Sequence, residues 1–175
     1  TQIQTSQKIN QTNLTEADVI SIYKETGKTC VQVFFFRSKQ NWGNQAFYPK
    51  HDPDDSIEEI LSSFISQFYE NKTIPRLILT NCEVKEKKLI EKTFSEKDEK
   101  DIIIKLAKSK NEISISSLAE KNAKQSLKQK LVQSDTNNNL IEELASKFNI
   151  NNNIELIEVY DNSHIQGTDS VGSLI

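Results

Sequence analysis

Several residue types are scarce in this 175-residue chain, and some of these absences exclude a class of protein. There is no methionine, and there are only four glycines, three prolines and one tryptophan. The longest candidate apolar run, Val31–Phe36, is far too short to cross a bilayer, and no signal-peptide pattern is present. We therefore expect a cytoplasmic protein with no membrane partner. A chain that begins with Thr1 and lacks methionine is also expected to be a fragment or a processed piece.

Cysteine and arginine are scarce as well. Cys30 and Cys82 lie in strand-like apolar runs, which predicts buried free thiols. Together with two widely separated histidines, they offer no zinc-site spacing. Only Arg37 and Arg76 among the 22 basic residues are arginine, and the net charge is −3 with a pI of about 5.5. This charge argues against a self-sufficient, high-affinity DNA-binding module, because such a module normally needs a basic face.

The length of 175 residues is enough for one domain, or for one domain and part of another. Of these residues, 35% are hydrophobic and 27% are charged. Before Pro49, β-branched and aromatic residues predict an antiparallel meander of three strands. The strands are Ala17–Tyr23, Thr29–Arg37 and Gln45–Tyr48. The turn at Glu25–Lys28 contains Gly27, and a polar turn is expected over Ser38–Asn44.

Helices and short strands alternate after this meander. Apolar residues at helical spacing predict a helix over Ile57–Glu70, with Asp55 or Ser56 as its N-cap. The remaining elements are predicted at Leu77–Leu79 (strand), Glu83–Phe94 (helix), Asp101–Leu106 (strand) and Ser114–Val132 (helix, capped by Ser114 or Ser116). The order βββ-α-β-α-β-α predicts an α/β (α+β) fold with an RNase H-like mixed sheet, whose later strands pair in parallel through helical crossovers.

The domain organisation is predicted from shifts in composition. The chain divides into a linker (1–14), an RNase H-like domain (15–133), a linker with a short helix (134–153) and the truncated start of another domain (154–175). The second linker is expected to begin with the polar, Asn-rich Ser134–Asn139, and its short amphipathic helix is expected over Leu140–Phe148.

The last 22 residues are the most informative part of the chain. A short apolar strand from Ile154 ends at a single carboxylate, Asp161, with Ser163 and His164 directly after it. A turn and a second apolar strand, from Val171, complete a hairpin. A carboxylate at the end of a buried strand is where a metal-dependent nuclease would start its active site, and also where an ordinary strand enters a loop. Residue types alone leave both interpretations open.

Three motifs resemble those of a known family in their order and spacing. Glu158–His164 resembles the signature that opens the nuclease domain of UvrC, the incision subunit of the bacterial UvrABC excinuclease. Cys30–Phe36 with Gln40–Pro49 resembles an upstream segment of the same family, and Ala119–Ala123 resembles its helical A-x-x-N-A element. The resemblance covers nearly the whole chain. Gln45 stands where the family usually has arginine, so a phosphate contact by that arginine is not carried over.

The resemblance implies a DNA endonuclease of nucleotide excision repair. It implies that the domain starting at residue 154 makes the 5′ cut beside a lesion, with Asp161 as a catalytic residue and as the first ligand of Mg²⁺ or Mn²⁺. The family's second Asp and its catalytic His are expected beyond Ile175, so the fragment alone is expected to be inactive. Ser163 and His164 are expected to be structural. The implied partners are damaged double-stranded DNA and UvrB, with UvrA upstream in the pathway.

A separate acidic site in the first domain is not predicted. Asp52, Asp54 and Asp55 share one loop and are expected to be solvated or to cap a helix. Asp18 lies before Val19–Tyr23, the part of the leading strand that has no central acid. Asp169 is expected to form the turn of the final hairpin. The first domain is therefore expected to be non-catalytic.

A small aromatic and basic patch is expected at the tip of an earlier hairpin. Arg37, Lys39, Trp42 and Asn44 form it, and together they could stack on or grip nucleic acid. The alternative is an aromatic side chain that folds onto the sheet.

Two functions of other kinds remain open. The chain could be a non-catalytic RNase H-like scaffold that binds DNA or a protein partner. It could also be an independent ribonuclease H, which would need three or more acids around one end of the sheet. Such a set of acids cannot be assembled from this chain.

Overall fold

A computed structural model describes residues 15–150, 154, 156–158, 160–165 and 168–174. The chain divides into two compact units between Lys130 and Leu131. The first unit contains a five-stranded sheet, and the second contains a sheet of two strands. Within the described ranges, no helix is both long and apolar enough to cross a membrane.

The first unit is a mixed sheet with helices on both faces. Its elements are β1 (Glu16–Glu25), β2 (Lys28–Arg37), β3 (Gln40–Phe47), α1 (Ile57–Phe68), β4 (Leu77–Thr80), α2 (Lys87–Asp98), β5 (Ile103–Leu106) and most of α3 (Lys110–Lys147). The strand order is β3-β2-β1-β4-β5. β2 runs antiparallel to β1 and β3, β4 runs parallel to β1, and β5 runs parallel to β4. The predicted order of elements and the mixed sheet are confirmed.

The central strand β1 is buried on both faces, which explains its nearly continuous apolar sequence. Successive side chains point to opposite faces of a strand. Ile20 and Ile22 accordingly pack with α1 and α2, whereas Val19 packs with Ile115 and Ala119 of α3. The core therefore has two layers, one on each side of the sheet.

The N-cap of α1 is one of the two residues predicted for it. Ser56, one of the two predicted caps, accepts a hydrogen bond from the Glu59 backbone N–H at 3.2 Å, and the Glu59 carboxylate accepts one from the Ser56 N–H at 3.0 Å. This reciprocal capping box satisfies two N–H groups that the helix itself leaves free.

Strand β3 is longer than predicted. The prediction of a polar turn over Ser38–Asn44 is wrong from Gln40 onward, because these residues belong to β3. The turn consists of Ser38 and Lys39, with φ values of 51° and 64°, and β3 begins at Gln40. A bulge lies where β3 pairs with Phe35 and Phe36. The strand is at the edge of the sheet and half of its residues are exposed, so its polar composition is compatible with pairing on one side only.

Two helix starts differ from the prediction. α2 begins at Lys87 instead of Glu83, and α3 begins at Lys110 instead of Ser114. The cap of α3 is Ser109. Its hydroxyl accepts a hydrogen bond from the Glu112 N–H at 3.3 Å, and the Glu112 carboxylate accepts one from the Ser109 N–H at 3.0 Å. Ser114 and Ser116 lie inside the helix, because the S-x-x-E pattern that satisfies its first N–H groups occurs earlier.

Helix α3 also continues through the predicted linker. Ser134–Asn139 is helical, and the expected short helix over Leu140–Phe148 is the last part of α3, which ends at Lys147. Residues 110–147 contain neither glycine nor proline. Each asparagine costs at most about 0.7 kcal/mol relative to alanine in a helix, so the Asn-rich run does not end it.

The second unit contains the end of α3 and the hairpin of β6 (Tyr160–Ile165) and β7 (Thr168–Leu174). The predicted strand bounds are wrong here: β6 does not start at Ile154, β7 does not start at Val171, and Asp169 lies in β7 rather than in a turn. The register explains the shift, because Tyr160 pairs with Leu174 and the pairing therefore extends toward the tip of the hairpin.

Candidate functional site

The carboxyl ends of the parallel strands β1, β4 and β5 meet at one edge of the first unit's sheet, which is where an RNase H-like nuclease would gather its acids. Asn81 follows β4 at this edge. Its Oδ1 accepts a hydrogen bond from the Ile22 N–H at 2.9 Å, and its Nδ2 donates to the Ile22 carbonyl at 2.9 Å. A neutral amide thus joins β1 to β4 at the position where a carboxylate would be needed.

The opposite face of β1 is neutral at the same level. The buried Ser21 hydroxyl donates to the Ser116 carbonyl at 2.9 Å and lies 3.2 Å from the Ser116 hydroxyl. Within the part of the chain that the structure describes, no group of three or more His, Cys, Asp and Glu residues could hold a metal ion. The residues of this edge therefore do not fit the hard, oxygen-rich coordination of Mg²⁺.

Asp18 is part of the buried strand β1 and is 1% exposed, whereas the sequence placed it before the run Val19–Tyr23. Arg37 Nη1 donates to Asp18 Oδ1 at 2.7 Å, and the Tyr69 hydroxyl donates to Asp18 Oδ2 at 2.5 Å. Burial raises the pKa of Asp18, and the hydrogen bonds from Arg37 and Tyr69 oppose that shift. Both carboxylate oxygens are already engaged, so Asp18 serves the core.

The acidic loop before α1 is organised by its own backbone. Asp55 Oδ2 accepts a hydrogen bond from the Asp52 N–H at 3.0 Å, and Lys24 donates to the carbonyls of Pro53 and Asp55 at 3.2 and 2.8 Å. An open cavity of about 430 Å³ lies between this loop and α1, and it is lined by both a lysine and aspartates. Nothing in this mixed charge favours a metal ligand set.

The four residues of the predicted nucleic-acid patch lie on one hairpin, but two of them are engaged within the domain. Arg37 binds Asp18, and the Asn44 Oδ1 accepts a hydrogen bond from Gln32 Nε2 at 2.7 Å. Lys39 is exposed in the turn, and Trp42 is 73% exposed within β3 rather than folded onto the sheet. Nucleic-acid binding by this patch stays a prediction.

The two cysteines are free, as predicted. Cys30 is buried and Cys82 is half-buried. Burial raises the pKa of Cys30 to about 11 and that of Cys82 to about 12. The thiolate is the reactive form, so neither residue is suited to nucleophilic chemistry.

Asp161 is the second residue of β6 and pairs with Ser173 of β7. The prediction placed it at the far end of a strand, whereas the hydrogen-bonded pairing begins beside it. Ser163 pairs with Val171, and His164 lies where the register shifts. The side chains of Asp161, Ser163 and His164 fall outside the described part of the structure, so their predicted roles stay predictions.

Sequence comparison decides the family. Residues 16–130 match the UvrC Ribonuclease H-like domain, and residues 145–175 match the UvrC RNAse H endonuclease domain. The chain belongs to the UvrC family. The resemblance stated from the three motifs is confirmed, and so is the RNase H-like fold of the first unit.

Curated relatives named UvrABC system protein C are similar over almost the whole of this UvrC-family chain. The Bartonella quintana (strain Toulouse) protein is 43% identical over 99% of the chain and 26% of its own length. The Maricaulis maris (strain MCS10) protein is 38% identical over 99% and 27%, and the Ruegeria sp. (strain TM1040) protein is 40% identical over 100% and 28%. The chain thus spans about a quarter of the length of the relatives it matches.

Sequence reasoning missed two features of this UvrC-family chain. The alternation of Asp18, Ile20 and Ile22 was a usable signal, because it places the aspartate on the same buried face as the two isoleucines. The bridge from Asn81 to Ile22 had no comparable signal, since it depends on the parallel pairing of two strands that are 59 positions apart.

Proposed function

We propose that this chain is the central segment of an excinuclease subunit that cuts damaged double-stranded DNA during nucleotide excision repair. The observation that carries the proposal is that one chain matches the UvrC Ribonuclease H-like domain over residues 16–130 and the UvrC RNAse H endonuclease domain over residues 145–175. The relatives are named as proteins of a UvrABC system, which supports UvrB as the proposed partner protein. UvrA is proposed to act earlier, and the cytoplasm is the proposed location.

The two units divide the work in this proposal. The first unit is a non-catalytic scaffold, because the carboxyl edge of its sheet carries the Asn81 amide and the Ser21 hydroxyl instead of carboxylates. The 5′ incision belongs to the domain that begins in the second unit. The domain boundaries proposed from composition, 15–133 and 154–175, are consistent with this division of labour.

Asp161 is the proposed catalytic carboxylate and one proposed ligand of Mg²⁺ or Mn²⁺. Such cations need several hard oxygen ligands, so a single carboxylate does not make a site. The described residues supply no cluster that completes it. Asp161 is therefore one ligand of a site that needs others. Ser163 and His164 are proposed to stabilise the hairpin.

The test is Asp161→Ala in the full-length protein, reconstituted with UvrA and UvrB on a duplex that carries one bulky lesion. Labels at both ends of the damaged strand separate the 5′ cut from the 3′ cut. We expect the 5′ cut to be lost, by a factor of about 10³ or more, because a metal ligand stabilises charge directly in the transition state. DNA binding should stay within about twofold of wild type.

Asp169→Asn is the matched control, because this acid lies in the partner strand of the same hairpin. It should cut at both sites as wild type does. If Asp161→Ala retains wild-type 5′ incision, Asp161 is not the catalytic carboxylate and the scaffold interpretation replaces it.

An independent ribonuclease H is the alternative with a different substrate. The isolated 175-residue chain with Mg²⁺ should leave an RNA/DNA hybrid intact, because the described residues contain no three-ligand acidic cluster. Hydrolysis of the hybrid would contradict the proposed division of labour.

A further inference from the structure

Helix α3 carries a basic stretch in which the lysines are closely spaced. Residues 121–134 contain four lysines and no acidic residue, in a protein whose net charge is −3. The lysines are Lys121, Lys124, Lys128 and Lys130, and all four are exposed within the first unit. Helix α2 differs, because its lysines alternate with acids and form i,i+4 ion pairs with Glu91 and Glu96.

Helical geometry aligns three of these lysines. Lys121, Lys124 and Lys128 follow the i, i+3, i+7 pattern, which places them on one stripe about 10 Å long. On the same turns Ala123 and Leu127 are buried, at 0% and 2% exposure, whereas the three lysines are exposed. The helix is thereby fixed in rotation, and the lysine stripe faces away from the core.

Aromatic rings hold two of the lysines at the sides of the helix. The Lys124 ammonium lies 5.0 Å from the centre of the Tyr23 ring, and the Lys130 ammonium lies 3.8 Å from the centre of the Tyr48 ring. The Tyr48 hydroxyl donates to the Ser126 carbonyl at 3.2 Å, which fixes that ring on α3. Such contacts restrict long flexible side chains before a ligand arrives.

Two acids act on Lys124 of the stripe. The contact with Tyr23 raises the pKa of Lys124 most, and the charges of Glu25 and Glu120 raise it further. Lys128 and Lys130 lie further along α3 than Glu120. A row of cations with few acids favours an extended polyanion over a single small anion.

We infer that the stripe of Lys121, Lys124 and Lys128 is a docking surface for the phosphodiester backbone of DNA. The inference rests on the proposed function, in which DNA is the substrate, and it gives the non-catalytic first domain a task. Contacts to phosphate position a protein without reading sequence, so the surface would bind duplexes of any sequence.

The test compares two triple variants of the 175-residue chain. Lys121→Gln/Lys124→Gln/Lys128→Gln removes the stripe, and Lys87→Gln/Lys88→Gln/Lys92→Gln removes the same charge from α2. Binding to a fluorescent 20-base-pair duplex is measured by anisotropy from low to moderate salt, after thermal melts establish that both variants fold. The Asp161→Ala chain is measured in parallel. Its binding to DNA should not change whether or not Asp161 is the catalytic carboxylate, so this variant separates DNA binding from the nuclease assignment.

Loss of the stripe should weaken binding about tenfold or more at low salt and reduce the slope of log K against log salt by about 2 to 3, since each phosphate contact contributes about 0.9. The α2 variant loses the same three positive charges as the stripe variant, and it should still bind within about twofold of wild type. Equal losses in the two variants, no binding by the wild-type chain at low salt, or tighter binding to polyglutamate than to the duplex would each overturn the inference.

Discussion

At the scale of single residues, Asp18 shows how an acid can be accommodated in the core of a domain. Its side chain is 2% exposed and its partner Arg37 is 28% exposed. Tyr69, itself 1% exposed, binds the second oxygen of the carboxylate. Taking this carboxylate out of water is unfavourable, and the two hydrogen bonds compensate for it only while both partners are present.

Arg37→Leu should therefore destabilise the first unit strongly. Removing one partner of a buried ion pair leaves an uncompensated charge, and we expect a loss of about 3 kcal/mol in the free energy of unfolding. Urea unfolding measures it. Lys39→Gln, in the adjacent exposed turn, is the control and should change stability by about 0.5 kcal/mol or less. A loss below about 1 kcal/mol in Arg37→Leu would show that the pair with Asp18 is unimportant for folding.

At the scale of elements, the cap of α3 can be tested against the one predicted from sequence. Ser109→Ala should cost about 1 kcal/mol, because the Glu112 N–H loses its acceptor at 3.3 Å. Ser114→Ala is the matched control, since Ser114 is an exposed residue inside the helix and alanine is the better helix former. Thermal or urea unfolding distinguishes them. A larger loss for Ser114→Ala would place the start of the helix where the sequence predicted it.

The same cap makes the stability of the first unit depend on pH. Lys105, followed by the N–H groups of Ser109 and Lys108, lowers the pKa of Glu112 to about 2, from 4.5. A lowered pKa in the folded state contributes stability above pH 4.5 that is lost as the pH falls toward 2. Glu112→Gln should show a smaller loss of stability between pH 5 and pH 2.5 than wild type, whereas Glu143→Gln, exposed on the same helix, should match wild type. Identical pH profiles for all three chains would contradict this role of Glu112.

Elements with a strong apolar period were predictable, and those without one were not. The core strands β1 and β2 and helix α1 were found within a few residues because their buried faces follow periods of 2 and 3.6. The edge strand β3 has no fully buried residue, and the prediction made it too short. The prediction divided α3 into two helices joined by a linker, because the Asn-rich part has no apolar face that would distinguish a helix from a linker.

At the scale of the whole molecule, sequence motifs indicated the family, whereas only the structure showed that the carboxyl edge of the first sheet is neutral. The sequence predicted that the first domain lacks a full acidic set, since no acid occupies the centre of its leading strand. It could not show what replaces those acids, because the contacts of Asn81 with Ile22 and of Ser21 with Ser116 join residues 59 and 95 positions apart. Long-range pairing is what a single sequence specifies least directly.

The proposed location of the catalytic carboxylate in the second unit is tested by measuring 5′ incision across a scan of acid-to-amide substitutions. The scan uses the full-length protein and includes Asp161→Asn and the exposed acids Asp52, Asp54 and Glu83 of the first unit. Only Asp161→Asn should lose the 5′ cut, while the three other variants should cut as wild type does. Loss of the 5′ cut in a stably folded first-unit variant, with Asp161→Asn still active, would contradict it.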